Sequence, residues 1–433
     1  MKSVLLIFLL CAFTQATYIP KLVQKINVDK PAFANLINSD KLNKYHLAIS
    51  SFNGAPFSAD YVFYYSYFNL NETSKPLQLN NKNLVWPNEI SYTNESILND
   101  NTDPYGGLIV AGGFLVPSKE NGGIFYYHFT SKDRSQITQN PPYEITLNSQ
   151  GKIKWFYHRV IRVDISGDNV TDLLTCRSYK PLVGATQTQL VGFVLDPESL
   201  LYVEKVILND ACDIFFDVAD LDNDGRFEII SAGFFISKLN LIYSDDPNNS
   251  FLNGNVKVLT LDNKVGKLFD VKMIDLDQDG SMELLVTNHQ GNKDKPEGRL
   301  FYYKMEGSNV RTAKWSYHLI YNNFPVLKSG IQQAAPGGAK AFYPNLNEKS
   351  KPYILVSGDG ATKAYLFAPL NTKPVQYNLV WTETYKGYTV GGTAIGDLDG
   401  DGLNEFIIPI YENNTCYIYS LTKNERFRLT NLH

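Results

Sequence analysis

A nine-residue acidic pattern, repeated along the chain, constrains this sequence more than any other feature. Asp275-Leu-Asp277-Gln-Asp279-Gly280-Ser281-Met-Glu283 runs straight into Leu284-Leu285-Val286. Asp220-Leu-Asp222-Asn-Asp224-Gly225-Arg226-Phe-Glu228 leads into Ile229-Ile230, and Asp397-Leu-Asp399-Gly-Asp401-Gly402-Leu403-Asn-Glu405 into Phe406-Ile407-Ile408. Carboxylates at positions 1, 3, 5 and 9 repel one another unless a cation sits among them. Alternate residues of a tight loop turn their oxygens inward, which suits a hard divalent ion. Gly at position 6 supplies the positive φ that turns the chain. An EF-hand closes with Glu at position 12 between two helices, whereas here the acid stands at 9 and an apolar β-type run follows. The pattern therefore reads as a strand-flanked Ca2+ loop.

Its recurrence makes it a ruler. Gly225 and Gly280 stand 55 residues apart but Gly280 and Gly402 stand 122 apart, so one degenerate copy is expected between them. Asn345-Leu-Asn347-Glu-Lys349-Ser-Lys-Pro-Tyr353 fills that place ahead of Ile354. Lys349 and Tyr353 remove two carboxylates there, so no ion is expected, and the Lys349 ammonium is a candidate to stand in its place. Upstream, Asp164-Ile-Ser166-Gly-Asp168-Asn169-Val-Thr-Asp172 precedes Leu173-Leu174. Asp164, Ser166, Asp168 and Asp172 put oxygen side chains at all four ligand positions, and Asn169 takes the turn as the residue that best tolerates positive φ after Gly. Two eroded copies, starting at Asn99 and Asn38, lead into Leu108 and Leu47.

Seven units result. Each continues into an aromatic strand such as Leu300-Phe-Tyr-Tyr303 or Cys416-Tyr-Ile-Tyr419, then a third strand, then a fourth that leads into the next loop, as Phe215-Phe-Asp217-Val218 and Leu268-Phe-Asp270-Val271 do. Four strands per unit without a helical period predict an all-β, seven-bladed propeller over residues 17–433, with antiparallel blades and no second domain. Blades hide their faces only against neighbours, so the ring must close. The N-terminal Lys21-Leu-Val-Gln-Lys-Ile26 is expected to do this by pairing with the last unit, which ends at Arg426-Phe-Arg-Leu429. Trp86, Trp155, Trp315 and Trp381 are placed on third strands as packing between blades, with His158 and His318 recurring beside two of them. Their separation makes a zinc site a poor prospect. Asp217 and Asp270 are assigned to the strand and turn ahead of the acid loops.

Lys2 followed by the apolar run Val4–Phe13, with Thr14 and Ala16 at the small-residue cleavage positions, predicts a secretory signal peptide over residues 1–16, too short to span a bilayer. A secreted product fits calcium, which is abundant outside cells, and gives meaning to five Asn-x-Ser/Thr acceptors at Asn71, Asn94, Asn169, Asn248 and Asn413. Once Cys11 leaves, Cys176, Cys212 and Cys416 allow at most one intrachain bridge, expected between Cys176 and Cys212. A formal net charge of −4 and the lack of a basic tract argue against nucleic acid. No later stretch is long and apolar enough for a membrane span, and a monomer is expected.

With its acid loops each feeding a strand, the chain resembles the integrin-alpha-like FG-GAP or VCBS repeat family of calcium-stabilised β-propellers; Phe52-Asn-Gly54-Ala55-Pro56 echoes the Phe-Gly and Gly-Ala-Pro elements of that name. The likeness covers nearly the whole mature chain in period and about half of it in intact motifs. It implies ion ligation by side chains at positions 1, 3, 5 and 9 and by the position-7 carbonyl, here Arg226, Ser281 and Leu403. The family includes adhesion heads, lectins, lyases and dehydratases, so membership would leave activity open. No His-Glu-x-x-His, Gly-x-Ser-x-Gly, phosphate-cradling Gly-Lys-Ser/Thr or Cys-x-x-Cys motif is present. The primary expectation is a non-enzymatic binding or adhesion module for an extracellular protein or glycan. The alternatives are a carbohydrate-active enzyme of polysaccharide lyase or sugar dehydratase type, and a matrix component that self-associates.

Overall fold

The computed structural model describes residues 17–424 apart from 42–43, 71–74, 81, 99–102, 140–142, 147–152, 290–297, 329–333 and 349. The expected signal peptide, Asn71, Lys349 and the segment Arg426-Phe-Arg-Leu429 lie outside the described residues. Every extended element among those described is a strand, and the strands form seven four-stranded antiparallel sheets. This is the seven-bladed propeller that the repeat predicts.

Local sequence explains the position of each strand in its blade. Gly107–Gly112, Glu228–Ala232, Glu283–Asn288 and Glu405–Ile410, the strands that follow the loops, are buried at every residue. Short continuous apolar runs of this kind suit strands covered on both faces. Val256–Asp262 and Lys314–Tyr321, at the outer edges of the fourth and fifth blades, have no buried residue and expose three residues each. Facing blades share cores: Leu285, Leu300 and Tyr302 of the fifth pack with Ile354, Val356 and Tyr365 of the sixth. The ring closes where Thr17–Asn27 pairs antiparallel with Thr415–Asn424 and becomes the outermost strand of the seventh blade. The N-terminal strand thus closes the ring as expected, against Thr415–Asn424.

The repeat and the blade are out of phase by one strand. Phe215–Ala219 leads into the acid loop Asp220–Glu228, yet it pairs with Glu228–Ala232 and is the innermost strand of that same fourth blade. The acid loop is the turn of a hairpin, so the strand before it belongs with the strands after it. This corrects the placement of the tryptophans. Trp315 and Trp381 do lie on outermost strands, but Trp155 and Trp86 immediately precede the innermost strands Phe156–Val163 and Pro87–Thr93. Trp155, Trp315 and Trp381 pack in the cores between blades, as expected, whereas Trp86 does not. His158 and His318 likewise sit at opposite edges of their blades. A four-residue aromatic likeness does not carry strand position, because both edges of a blade use aromatic residues.

Cys176 and Cys212 form a disulfide, with Cα atoms 5.6 Å apart, while Cys416 is a buried free thiol. The bridge ties the second strand of the third blade, Asp172–Tyr179, to the residues just ahead of Phe215–Ala219 in the fourth.

Candidate metal loops and central pocket

Each acid loop joins the end of an innermost strand to the start of the next, so all of them lie at one end of the ring. In the fourth blade, Asp220 accepts hydrogen bonds from the amides of Asp224 (3.1 Å) and Gly225 (2.9 Å), and Glu228 Oε2 accepts one from Leu221 (3.0 Å). The seventh blade repeats this: Asp397 takes Gly400 and Gly402, and Glu405 Oε2 takes Leu398 at 2.7 Å. Gly225, Gly280 and Gly402 have φ of 85°, 91° and 87°, the conformation for which position 6 was read as glycine. Asn169 holds the same place in the third loop with φ 67°.

Three groups gather their carboxylate oxygens within 4.8 Å of one another: Asp220, Asp222 and Glu228; Asp275, Asp277 and Asp279; Asp397, Asp399 and Glu405. Asp224 and Asp401 stand on the exposed side, their Oδ1 atoms accepting the Arg226 and Leu403 amides. Glu228 is 1 % exposed, and its Oε1 has no hydrogen-bond partner; Asp222 Oδ1, Glu405 Oε1 and, in the fifth loop, Asp277 Oδ1 are equally unpaired. Burial and the neighbouring acids push Glu228 and Glu405 up to about 7. Orphaned buried oxygens aimed into a cluster of carboxylates fit a hard cation. In the fifth blade a protein group is already there. Lys304 Nζ lies 2.7 Å from Asp277 Oδ2, 2.7 Å from Asp279 Oδ2 and 3.0 Å from Glu283 Oε1. The Ser281 amide donates to Asp279 Oδ1 (2.9 Å).

The third loop does not gather its acids in this way. Asp164 is taken up by the amides of Gly167, Asp168 and Asn169 and by the Ser166 hydroxyl, and Asp172 Oδ2 by the amides of Ile165 and Ser166. In the sixth, the Asn345 strand bridge and the Leu346 amide bind the neighbouring loop at Leu403 and Gly402.

The other end of the ring holds a site that the loop pattern does not reveal. A cavity of about 450 Å³ opens where the innermost strands begin. Its wall is an aromatic belt drawn from six blades. Tyr411 lies 5.4 Å from Phe52, Phe52 stacks on Trp86 at 4.0 Å, and Trp86 stacks on Phe114 at 5.1 Å. The belt continues through His158, Phe215 and Phe269 to His289, with ring centroids 4.6–5.8 Å apart. Trp86 is held with φ 47°, its amide donating to Asp60 Oδ2 (2.7 Å). Asp60 in turn is locked to Lys119 at 2.7 Å, with both side chains at most 1 % exposed.

Charged groups cross between blades below the belt. Arg159 pairs with Glu89 and with Asp270 (3.1 Å) and donates to the Phe216 carbonyl (2.7 Å). Burial opposes the Glu89 charge, but Arg159 outweighs it and holds Glu89 at about 2. Lys272 faces Asp217 at 3.9 Å, and Lys340 donates to the Thr393 carbonyl (2.6 Å). Burial lowers His158 to about 3 and His289 to about 4. His289 Nδ1 bonds the Pro336 carbonyl (2.7 Å), leaving Nε2 facing Asp359 at 3.7 Å. Asp359, with φ 48°, is raised to about 7 by burial and by Glu412. Glu412 is held low against its burial by Lys328 and Thr389.

Asp217 and Asp270 do lie on strands, but they also bridge blades, Asp217 through the Met273 amide (2.9 Å) and Asp270 through Arg159. The available signal is a charged residue on five of the seven strands that precede a loop, at Glu89, Arg159, Asp217, Asp270 and Lys340.

No family model matches the chain, and no curated protein matches it. Among solved structures, an alpha-L-arabinofuranosidase from Fusarium graminearum is 8 % identical, with 93 % of this chain and 98 % of that one covered and a TM-score of 0.46. A glucose dehydrogenase is 12 % identical, with coverage of 79 % and 97 % and a TM-score of 0.40. An aldose sugar dehydrogenase from Escherichia coli is 11 % identical, with coverage of 78 % and 100 % and a TM-score of 0.38. At these values the likenesses say nothing about activity.

Proposed function

We propose that the protein is a secreted propeller of the FG-GAP type, stabilised by calcium at one end of the ring, that binds an extracellular glycan in the pocket at the other. The aromatic belt carries this reading. Six blades present flat rings around one cavity, with carboxylates, amides and ammonium groups placed beneath them. Sugars offer apolar C–H faces to stack on rings and hydroxyls to hydrogen-bond, and a concave, mostly apolar site with a few polar groups suits such a ligand. Calcium would be held by Asp220, Asp222 and Glu228 in the fourth blade and by Asp397, Asp399 and Glu405 in the seventh, neutralising acids that otherwise face one another. The test is a glycan array followed by calorimetry with wild type and Trp86→Ala. Saccharide binding that weakens at least tenfold in the variant supports the pocket. Full-strength binding by Trp86→Ala, or no saccharide bound at all, sinks it. Excess EGTA should lower the melting temperature by several degrees, and an unchanged melting curve removes calcium from the reading.

A second reading, a glycan-cleaving enzyme, rests on Asp359 and Glu412. They line one wall of the pocket in environments that push their proton affinities apart, the arrangement that lets one carboxyl donate a proton while the other accepts one. Release of product from a bound saccharide, abolished in Asp359→Asn, would select it.

A further inference from the structure

The fourth, fifth and seventh loops carry the same acids, yet their partner strands differ at one position. In the fifth blade, Leu284 pairs with Tyr303, which sets Glu283 beside Lys304. In the fourth, Ile229 pairs with Ile242 and puts Tyr243 there; in the seventh, Phe406 pairs with Tyr419 and puts Ser420 there. Of these three blades, only the fifth sends an ammonium to its closing Glu; at the fourth loop the Arg311 guanidinium lies 3.6 Å from Asp224 Oδ2, on the exposed side. The three N–H groups of Lys304 match three acceptors, Asp277 Oδ2, Asp279 Oδ2 and Glu283 Oε1, which are loop positions 3, 5 and 9. The equivalent Glu228 Oε1 and Glu405 Oε1 have no partner.

We propose that Lys304 is a built-in cation that closes the fifth loop in place of a metal, so that the ring takes calcium at the fourth and seventh loops but not at the fifth. This rests on the calcium reading above. Calcium binds carboxylate oxygens at about 2.3–2.6 Å. It cannot reach those three oxygens while an ammonium hydrogen-bonds to them, and two cations at such range repel strongly. To admit the ion, Lys304 must swing out and give up three charge-assisted hydrogen bonds. Residual negative charge remains, since four carboxylates face one ammonium, but Asp275 is already satisfied by the amides of Asp279 and Gly280. The loop thus keeps its shape without a divalent ion.

The test uses the full secreted chain, stripped with EGTA and re-equilibrated with calcium alone. Bound calcium is counted by elemental analysis and calorimetry. Two ions per chain are expected for wild type and three for Lys304→Met. Three in wild type, or two in both, overturns the proposal. No calcium in either protein defeats the calcium reading itself. Should Lys304→Met fold poorly, hydrogen exchange on wild type decides the matter. EGTA should accelerate exchange in segments 220–228 and 397–405 and leave 275–283 unchanged. Equal acceleration in all three rules out an internal cation.

Discussion

The two ends of the ring are built by different means. At the loop end the fourth, fifth and seventh blades meet the same local difficulty, a cluster of acids in a tight turn, and meet it largely with groups of the loop itself and the strands beside it. At the pocket end the innermost strands converge on one shared space, and the solution is spread over blades and used once. Lys119 of the second blade locks onto Asp60 of the first, Arg159 of the third reaches Glu89 of the second and Asp270 of the fifth, and Cys176–Cys212 joins the third to the fourth. Local solutions can be copied and can erode one at a time. Shared ones have no period and fail together.

The sharpest way to break this contrast is to damage each end once. Lys119→Met leaves the Asp60 carboxyl buried without its cation, and the expected loss is about 3–5 kcal/mol. Asp60 also anchors the Asn53 and Trp86 amides at 2.8 and 2.7 Å, so the disturbance should reach the belt. Glu228→Gln at the loop end, in the presence of chelator, keeps an acceptor for the Leu221 amide and removes a charge that burial and the neighbouring acids oppose, so it should leave stability unchanged or slightly raised. Urea unfolding of both variants measures the difference. Similar losses would mean that the two ends are not built differently.

The disulfide gives the next largest effect. It closes 36 residues of chain, and chain-entropy reasoning puts its contribution at about 3–4 kcal/mol. Cys176→Ser with Cys212→Ser should lose that much in equilibrium unfolding, with calcium stoichiometry unchanged because the bridge touches no acid loop. A change in bound calcium would show that the two ends are coupled.

This division also explains what the sequence revealed. The acid loops are legible because every ligand position lies within nine residues, and their period locates even the degenerate copy at Asn345. The blade phase was less legible. Phe215-Phe-Asp217-Val218 and Glu228–Ala232 look alike as apolar strands, and only pairing shows that they share a sheet. The pocket was not legible at all. Trp86, Phe114, His158 and Phe269 acquire their common purpose from ring closure, with no fixed spacing to betray it. Lys304 was invisible for a related reason, lying 21 residues beyond Glu283 and reaching it only across a strand pair. The expectation of an ammonium at Lys349 falls outside the described residues; the ammonium that the structure does place in an acid loop is Lys304, in a loop that keeps all its acids.

Acid should bring out the shared end in another way. His158 and His289 are neutral in the fold, held at about 3 and about 4 by burial, while an unfolded histidine takes its proton near 6.5. Below about pH 6.5 the unfolded state therefore binds more protons, so stability falls as pH drops towards 4. Each histidine should account for about 2–3 kcal/mol of that loss by pH 4.5. His158→Phe keeps a ring beside Phe114 and Phe215 and cannot be protonated, so its unfolding free energy should fall less steeply between pH 7 and 4.5. An unaltered slope would place the acid sensitivity elsewhere.

The smallest effect concerns residues that touch the outside of the pocket end without holding it together. Phe57 is 92 % exposed on the loop between Tyr45–Ser51 and Tyr61–Phe68, and Leu182 and Val183 are fully exposed on the corresponding loop of the third blade. Both loops follow the second strand of their blade and so rise on the side where the pocket opens. Exposed apolar side chains at loop tips contribute almost nothing to the folded state, and Phe57→Ser with Leu182→Ser should shift unfolding by no more than about 0.5 kcal/mol. If the pocket takes a glycan as proposed, loops rising on that side would meet the part of a long saccharide that extends beyond the cavity. The double variant should bind a short oligosaccharide as wild type does and hold a polymer more weakly. Equal retention of the polymer would confine recognition to the aromatic belt, and a large loss of stability would mean that the loops brace the ring after all.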